Sequence, residues 1–184
     1  MDFDRYWFLT WTTYGTWLPG DPRGNVTSVK EGPGPRHRNN LPGTEFDGDI
    51  PGLRGWAEKH LQGEPVFLRQ EQAEQVMSQF RETTTHRGWQ LVATAIMRNH
   101  IHVEVGVPGD PDPEVMLRDY KAYASRRLNR HWQRPASGTW WTESGSKRKL
   151  KNEVAVLAAA KYIRDQEFPL VVWIHPAFAS ELPE

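Results

Sequence analysis

The sequence predicts an α+β fold, a ferredoxin-like antiparallel sheet with helices packed on it, interrupted by a long irregular Gly/Pro-rich insertion. Three observations lead there. Aromatic and β-branched runs at 5–13 and 89–107 read as strands, stretches near 69–87, 112–131 and 152–166 carry helical periodicity, and residues 20–65 carry no period at all. A strand, helix, strand, strand, helix order with segregated helices gives an antiparallel sheet of this style. At 184 residues the chain is expected to be one domain, 1–184, large enough to bury a real core.

The first strand, Arg5-Tyr6-Trp7-Phe8-Leu9-Thr10-Trp11-Thr12-Thr13, ends in a series of turn formers from Tyr14 to Gly24. The insertion follows, with Gly32-Pro33-Gly34-Pro35 and Arg36-His37-Arg38 at its centre; loops this long are usually functional or disordered. In the helix at 69–87, Ala73, Val76, Met77 and Phe80 fall at i, i+3, i+4 and i+7, and Gly88 ends it. The next helix has Asp112 as N-cap and Pro113 at its first position, with Leu117, Tyr120, Ala124 and Leu128 as its apolar stripe. Trp140-Trp141-Thr142 reads as a short strand and residues 143–149 as a basic turn. The last helix runs from N-cap Asn152 to Gln166, with Val156, Leu157, Ala160 and Ile163 as its apolar face and Tyr162 off that stripe.

The strand after the turn at Arg98-Asn99 carries the chemistry. Ile101, Val103, Val105 and Val107 point one way, and His100, His102, Glu104 and Gly106 the other. Two imidazoles on one face, with Cα atoms roughly 7 Å apart, suit convergence on one divalent metal. Two surface histidines on a solvent-facing strand is the competing reading. The chain has no cysteine, so disulfides and thiolate metal sites are excluded, which fits a reducing cytoplasm. Any metal must use His, carboxylate, amide or water. No apolar run of about 18 residues suggests a membrane span.

Net charge is zero but unevenly spread. Residues 118–151 hold ten Lys/Arg against two acids. Tyr120, Tyr123, Trp132, Trp140 and Trp141 are interleaved with them, a pattern expected of a nucleic-acid surface where cations neutralise phosphates and rings stack on unpaired bases. Lys121, Tyr123, Arg126, Arg127, Arg130, Lys147, Arg148 and Lys149 are the DNA-binding residues expected from this segment.

Several stretches together carry a family resemblance: Met97 before Asn99-His100-Ile101-His102, Tyr162-Ile163-Arg164-Asp165-Gln166, the opening from Phe8 to Gly20, Tyr120 to Asn129, and Trp140 to Ser146. The chain resembles the single-tyrosine transposases of the HUH nuclease superfamily, the small insertion-sequence transposases and their relatives associated with repetitive extragenic palindromes. The resemblance covers the chain except the insertion and the C-terminal tail. It implies that His100 and His102 bind Mg²⁺ or Mn²⁺ with Gln166 as third ligand, Glu104 being a rival. It implies that Tyr162 attacks a phosphate of single-stranded or hairpin DNA to give a 5′-phosphotyrosine link and a free 3′-hydroxyl, and that the protein works as a homodimer, often with the tyrosine helix completing the partner's site. The long insertion leans toward the repeat-associated or domesticated branch.

The function expected is therefore a metal-dependent single-strand DNA endonuclease and strand transferase in DNA transposition. A domesticated hairpin-binding protein without turnover is the alternative. A small metallohydrolase with a non-nucleic substrate is a third reading, which the basic segment opposes.

Overall fold

The computed structural model of the chain describes residues 3–21 and 50–182. Five strands, β1 (Arg5–Thr12), β2 (Gln90–Ile96), β3 (His100–Val107), β4 (Ser146–Leu150) and β5 (Val171–Ile174), form one sheet in the order β4-β1-β3-β2-β5. Every pairing is antiparallel. The helices are α1 (Pro51–Lys59), α2 (Gln70–Arg87), α3 (Pro113–His131), α4 (Glu153–Arg164) and the short α5 (Pro176–Ala179).

Strand alternation divides the interior in two. Trp7, Leu9 and Trp11 of β1 and Ile101, Val103, Val105 and Val107 of β3 pack with Ala73, Val76, Met77 and Phe80 of α2 and Leu117, Tyr120, Ala124 and Leu128 of α3. On the other face, Tyr6, Ala93 and Ala95 meet Val156, Ala159, Ala160 and Ile163 of α4, joined by Phe178 of α5. A bulge between Leu91 and Ala93 re-phases β2, so that the two small alanines face α4 and the helix can approach closely. The expected helix stripes are all in place, with Ala159 replacing the half-buried Leu157 at the centre of the α4 contact.

The helix signals hold at atomic detail. Asp112 accepts a hydrogen bond from Glu114 N, Asn152 accepts one from Ala155 N, and Gly88 ends α2 at a φ of 65°.

Three expectations are corrected. The span 20–65 is not irregular throughout, since residues 51–59 form α1 with Pro51 in its first turn; Gly52 and Gly55 weaken its helical signal. The centre of the insertion, with Arg36-His37-Arg38, lies outside the described residues. The basic stretch 146–150 is not a turn but edge strand β4, and Trp140–Thr142 makes only an isolated bridge, Trp141 to Thr13. Helices cover both faces of the sheet, because α4 packs opposite α2 and α3. The tail adds a strand and a helix, with β5 pairing to β2.

Gly20 and Ile50 are joined by a hydrogen bond from Ile50 N to Gly20 O at 3.3 Å. Gly20 has a φ of 80°, and a Cβ on it would meet Ile50 O at 2.5 Å, so only glycine fits there. The described residues on either side of the insertion, Gly20 and Ile50, thus meet at one point beside α1.

Candidate active site

Helix α4 lies over the face of β3 that carries His100, His102 and Glu104, so this face is enclosed rather than solvent-facing. His102 is 5% exposed and Glu104 fully buried. Strand register gives each group its neighbours. Thr10 pairs with His102, Phe8 with Glu104 and Thr12 with His100 across β1, while Ala95 and Ala93 flank His102 and Glu104 on β2.

The two imidazoles converge, with ring centroids 4.9 Å apart and planes at 78°. Each has its Nδ1 engaged. Thr10 Oγ1 lies 2.8 Å from His102 Nδ1, and Asn99 Oδ1 lies 2.8 Å from His100 Nδ1. Such bonds fix ring orientation, the way a histidine that ligates through one ring nitrogen is held through the other. The Nε2 of His102 is buried and makes no hydrogen bond, a costly position for a polar atom unless a ligand takes it up. Burial, reinforced by His100, pushes His102 down to about 3, so its imidazole is neutral at physiological pH, the form a metal requires.

Tyr162 completes the constellation. Its ring centroid lies 5.4 Å from that of His102 and 6.0 Å from that of Phe8, edgewise to both. Phe8 in turn stacks on His102 at 5.5 Å with planes 13° apart. The tyrosine is nevertheless 53% exposed, so it is reachable by a macromolecular substrate. Gln166 lies just beyond the end of α4, where its Nε2 donates to Tyr162 O at 3.0 Å, tying it to the backbone of the tyrosine. Burial pushes Glu104 up to about 9, partly opposed by Arg148; neither carboxyl oxygen has a hydrogen-bond partner. Among the described residues no group of three or more His, Cys, Asp or Glu is arranged to hold a metal. Within those residues Gln166, through its amide, and Glu104 are the groups that the sequence expectation sets beside the histidine pair.

The basic segment is less free than its sequence implies. Lys121 is buried and donates to the carbonyls of Thr142, Glu143 and Ser144 at 2.6, 3.1 and 3.0 Å, pinning the loop that leads into β4. Arg127 bonds Gln75 and Glu82 of α2, Lys147 pairs with Glu114, and Lys149 with Asp110. These acids lie outside residues 118–151, so a charge sum over that segment overstates the local field. Arg126, Arg130 and Arg148 stay exposed, with Arg126 over the Tyr123 ring and Arg148 over the Phe8 ring. The expected base-stacking role of Tyr120, Trp140 and Trp141 is corrected, since all three are core. Tyr120 hydrogen bonds Thr84, Trp140 bonds Asn129, and Trp141 bonds Ser125 and Lys121 O.

The contribution of Thr10, Asn99 and Phe8 was not read from the sequence. Thr10 and Phe8 lie about 90 residues from the histidines, and only strand pairing brings them together.

The family model for IS200-like transposases matches residues 64–166, more than half of the chain. The chain belongs to this transposase family. The match includes both histidines, Tyr162 and Gln166, and begins after β1. Among solved structures, a REP-associated tyrosine transposase bound to a REP hairpin aligns over 88% of this chain at 13% identity and a TM-score of 0.48. This chain spans 65% of the length of that protein. A protein described as a transposase from Deinococcus radiodurans aligns over 89% of this chain and 92% of its own, at 16% identity and a TM-score of 0.42. No curated protein sequence matches. Among the described residues no helix is long and apolar enough to cross a membrane.

Proposed function

We propose that this transposase-family protein is a metal-dependent single-strand DNA endonuclease and strand transferase that acts at DNA hairpins through Tyr162. The observation that carries this reading is the placement of an exposed tyrosine ring against His102, whose buried Nε2 makes no hydrogen bond. The REP hairpin bound by the structural relative is the model for the substrate class.

His100 and His102 would hold a divalent ion, Mg²⁺ or Mn²⁺, with Gln166 as the third ligand. Bound there, the ion supplies a Lewis acid for the scissile phosphate. The remaining steps belong to the chain. Thr10 and Asn99 orient the two imidazoles through their Nδ1 atoms. Phe8 and the edge contact with His102 orient the phenol. Tyr162 loses its proton and its Oη bonds to phosphorus as the bond from phosphorus to the 3′-oxygen breaks; the released oxygen takes up a proton to become a 3′-hydroxyl. The 5′-phosphotyrosine keeps the energy of the broken phosphodiester, so attack by a 3′-hydroxyl reverses the step and joins strands. Arg126 and Arg130, with Tyr123, would carry the flanking DNA. The homodimer expected from the family resemblance is retained as part of the proposal.

Incubating the protein with labelled hairpin DNA and Mg²⁺ or Mn²⁺ tests the reading: a denaturant-stable protein–DNA adduct is expected, and its absence with both ions overturns the reading.

A further inference from the structure

Strand β4 carries three consecutive cations, and its alternation separates them. Lys147 and Lys149 are neutralised by Glu114 at 2.5 Å and Asp110 at 2.8 Å, and Lys149 also lies over the ring of Trp7 on the α2/α3 side of the sheet. Arg148 therefore points the opposite way, to the face covered by α4. It is paired in register with Phe8, which is paired in turn with Glu104. Its guanidinium carbon lies 5.2 Å from the Phe8 ring centroid. That same ring stacks on His102 and meets Tyr162 edgewise. Arg148 is exposed, and among the described residues no carboxylate lies within salt-bridge distance of it.

We propose that Arg148 is a catalytic residue that binds the phosphate attacked by Tyr162, with Phe8 as the platform that holds it there. This rests on the strand-transfer reading above and assigns a part of that reaction to one side chain. A guanidinium held over a ring keeps its five N–H donors uncommitted to protein acceptors, and the planar fork matches two non-bridging oxygens of a phosphate. As the Tyr162 Oη to phosphorus bond forms and the bond to the 3′-oxygen breaks, negative charge gathers on those oxygens. A fixed cation stabilises that charge without reorganising. Lys147 and Lys149 cannot substitute, because their charges are spent on the opposite side of the strand.

The experiment compares wild type, Arg148→Lys and Arg148→Gln in single-turnover adduct formation on labelled hairpin DNA, at DNA concentrations that saturate each protein. Arg148→Gln is expected to react about 100-fold more slowly, with its DNA dissociation constant within about threefold of wild type, as for loss of one phosphate contact. Arg148→Lys is expected to fall between the two, since it keeps the charge and loses the fork. Reaction of Arg148→Gln within threefold of wild type at saturation overturns the assignment, as does recovery of its rate on raising the DNA concentration. If wild type itself forms no adduct, the strand-transfer reading fails and this assignment falls with it; a reactive wild type with an equally reactive Arg148→Gln sinks the assignment alone.

Discussion

The Tyr162 ring meets the imidazole of His102 of the same chain at 5.4 Å between centroids, with the planes 77° apart. A trans arrangement, with the tyrosine helix completing a partner's site, would be revealed by complementation. Mixing Tyr162→Phe protein with His102→Ala protein is therefore expected to restore no adduct formation, because neither chain has a complete site. Recovery of about half the wild-type activity per intact site would mean that α4 crosses to a partner in solution.

Metal affinity should depend on the partner behind each imidazole. Removing an outer-shell partner costs about 10- to 100-fold in metal affinity. Thr10→Val keeps the shape of the strand and deletes the bond to His102 Nδ1, so Mn²⁺ binding measured by calorimetry should weaken about tenfold. Gln166→Ala should weaken it at least as much, while Glu104→Gln, which alters a carboxyl enclosed under α4, should change it by less than about threefold. A larger loss in Glu104→Gln than in Gln166→Ala would make Glu104 the ligand.

Salt dependence should be shallower than the segment's charge suggests. With Lys121, Arg127, Lys147 and Lys149 paired within the protein, the other three cations expected to bind DNA, Arg126, Arg130 and Arg148, give a slope of log K against log salt of about −2 for single strands, at roughly −0.7 per phosphate. Replacing Arg126 and Arg130 by Gln should flatten it by about 1.4. An undiminished slope in that double variant would remove α3 from the interface.

Lys121 provides a test by pH. Burial, with Lys147 nearby, pushes its ammonium down from 10.5 to about 8, against the pull of Glu114 and Glu143. The unfolded chain keeps that proton up to about 10.5, whereas the folded chain releases it from about 8. Between those values the unfolded state binds more protons, so this group's contribution to stability rises with pH there. The stability of wild type minus that of Lys121→Met, from urea unfolding, should grow by about 1–3 kcal/mol between pH 8 and 10.5. A difference that stays flat would show that the three carbonyls hold the ammonium charged throughout.

Much of this was legible in local sequence, and the rest was not for identifiable reasons. The caps Asp112, Asn152 and Gly88 announce three helix ends because capping is decided within a few residues. The alternation of β3 separates Ile101, Val103 and Val105 from His102 and Glu104 correctly, but it cannot tell that α4 will enclose the polar side. Strand β4 was missed because Lys147-Arg148-Lys149 lacks β-branched or aromatic residues and is held as a strand by pairing with β1. The same tertiary pairing hid the neutralisation of Lys147 by Glu114 and of Lys149 by Asp110, and the burial of Trp140 and Trp141. Tyr162 was separable from Tyr120 by helix periodicity alone, since Tyr120 lies on the apolar stripe of α3 and is enclosed by Phe80 and Trp89.

The most direct measurement is the identity of the residue joined to DNA. Wild type and Tyr162→Phe, each with labelled hairpin DNA and Mn²⁺, can be denatured, digested and mapped by mass spectrometry for the nucleotide-bearing peptide. The expected result is a single adduct on Tyr162 in wild type, none in Tyr162→Phe, and hairpin binding by the variant within about threefold of wild type, since one hydroxyl is lost and no cation. An adduct formed at the wild-type rate by Tyr162→Phe, or mapped to Tyr123, would contradict the assignment.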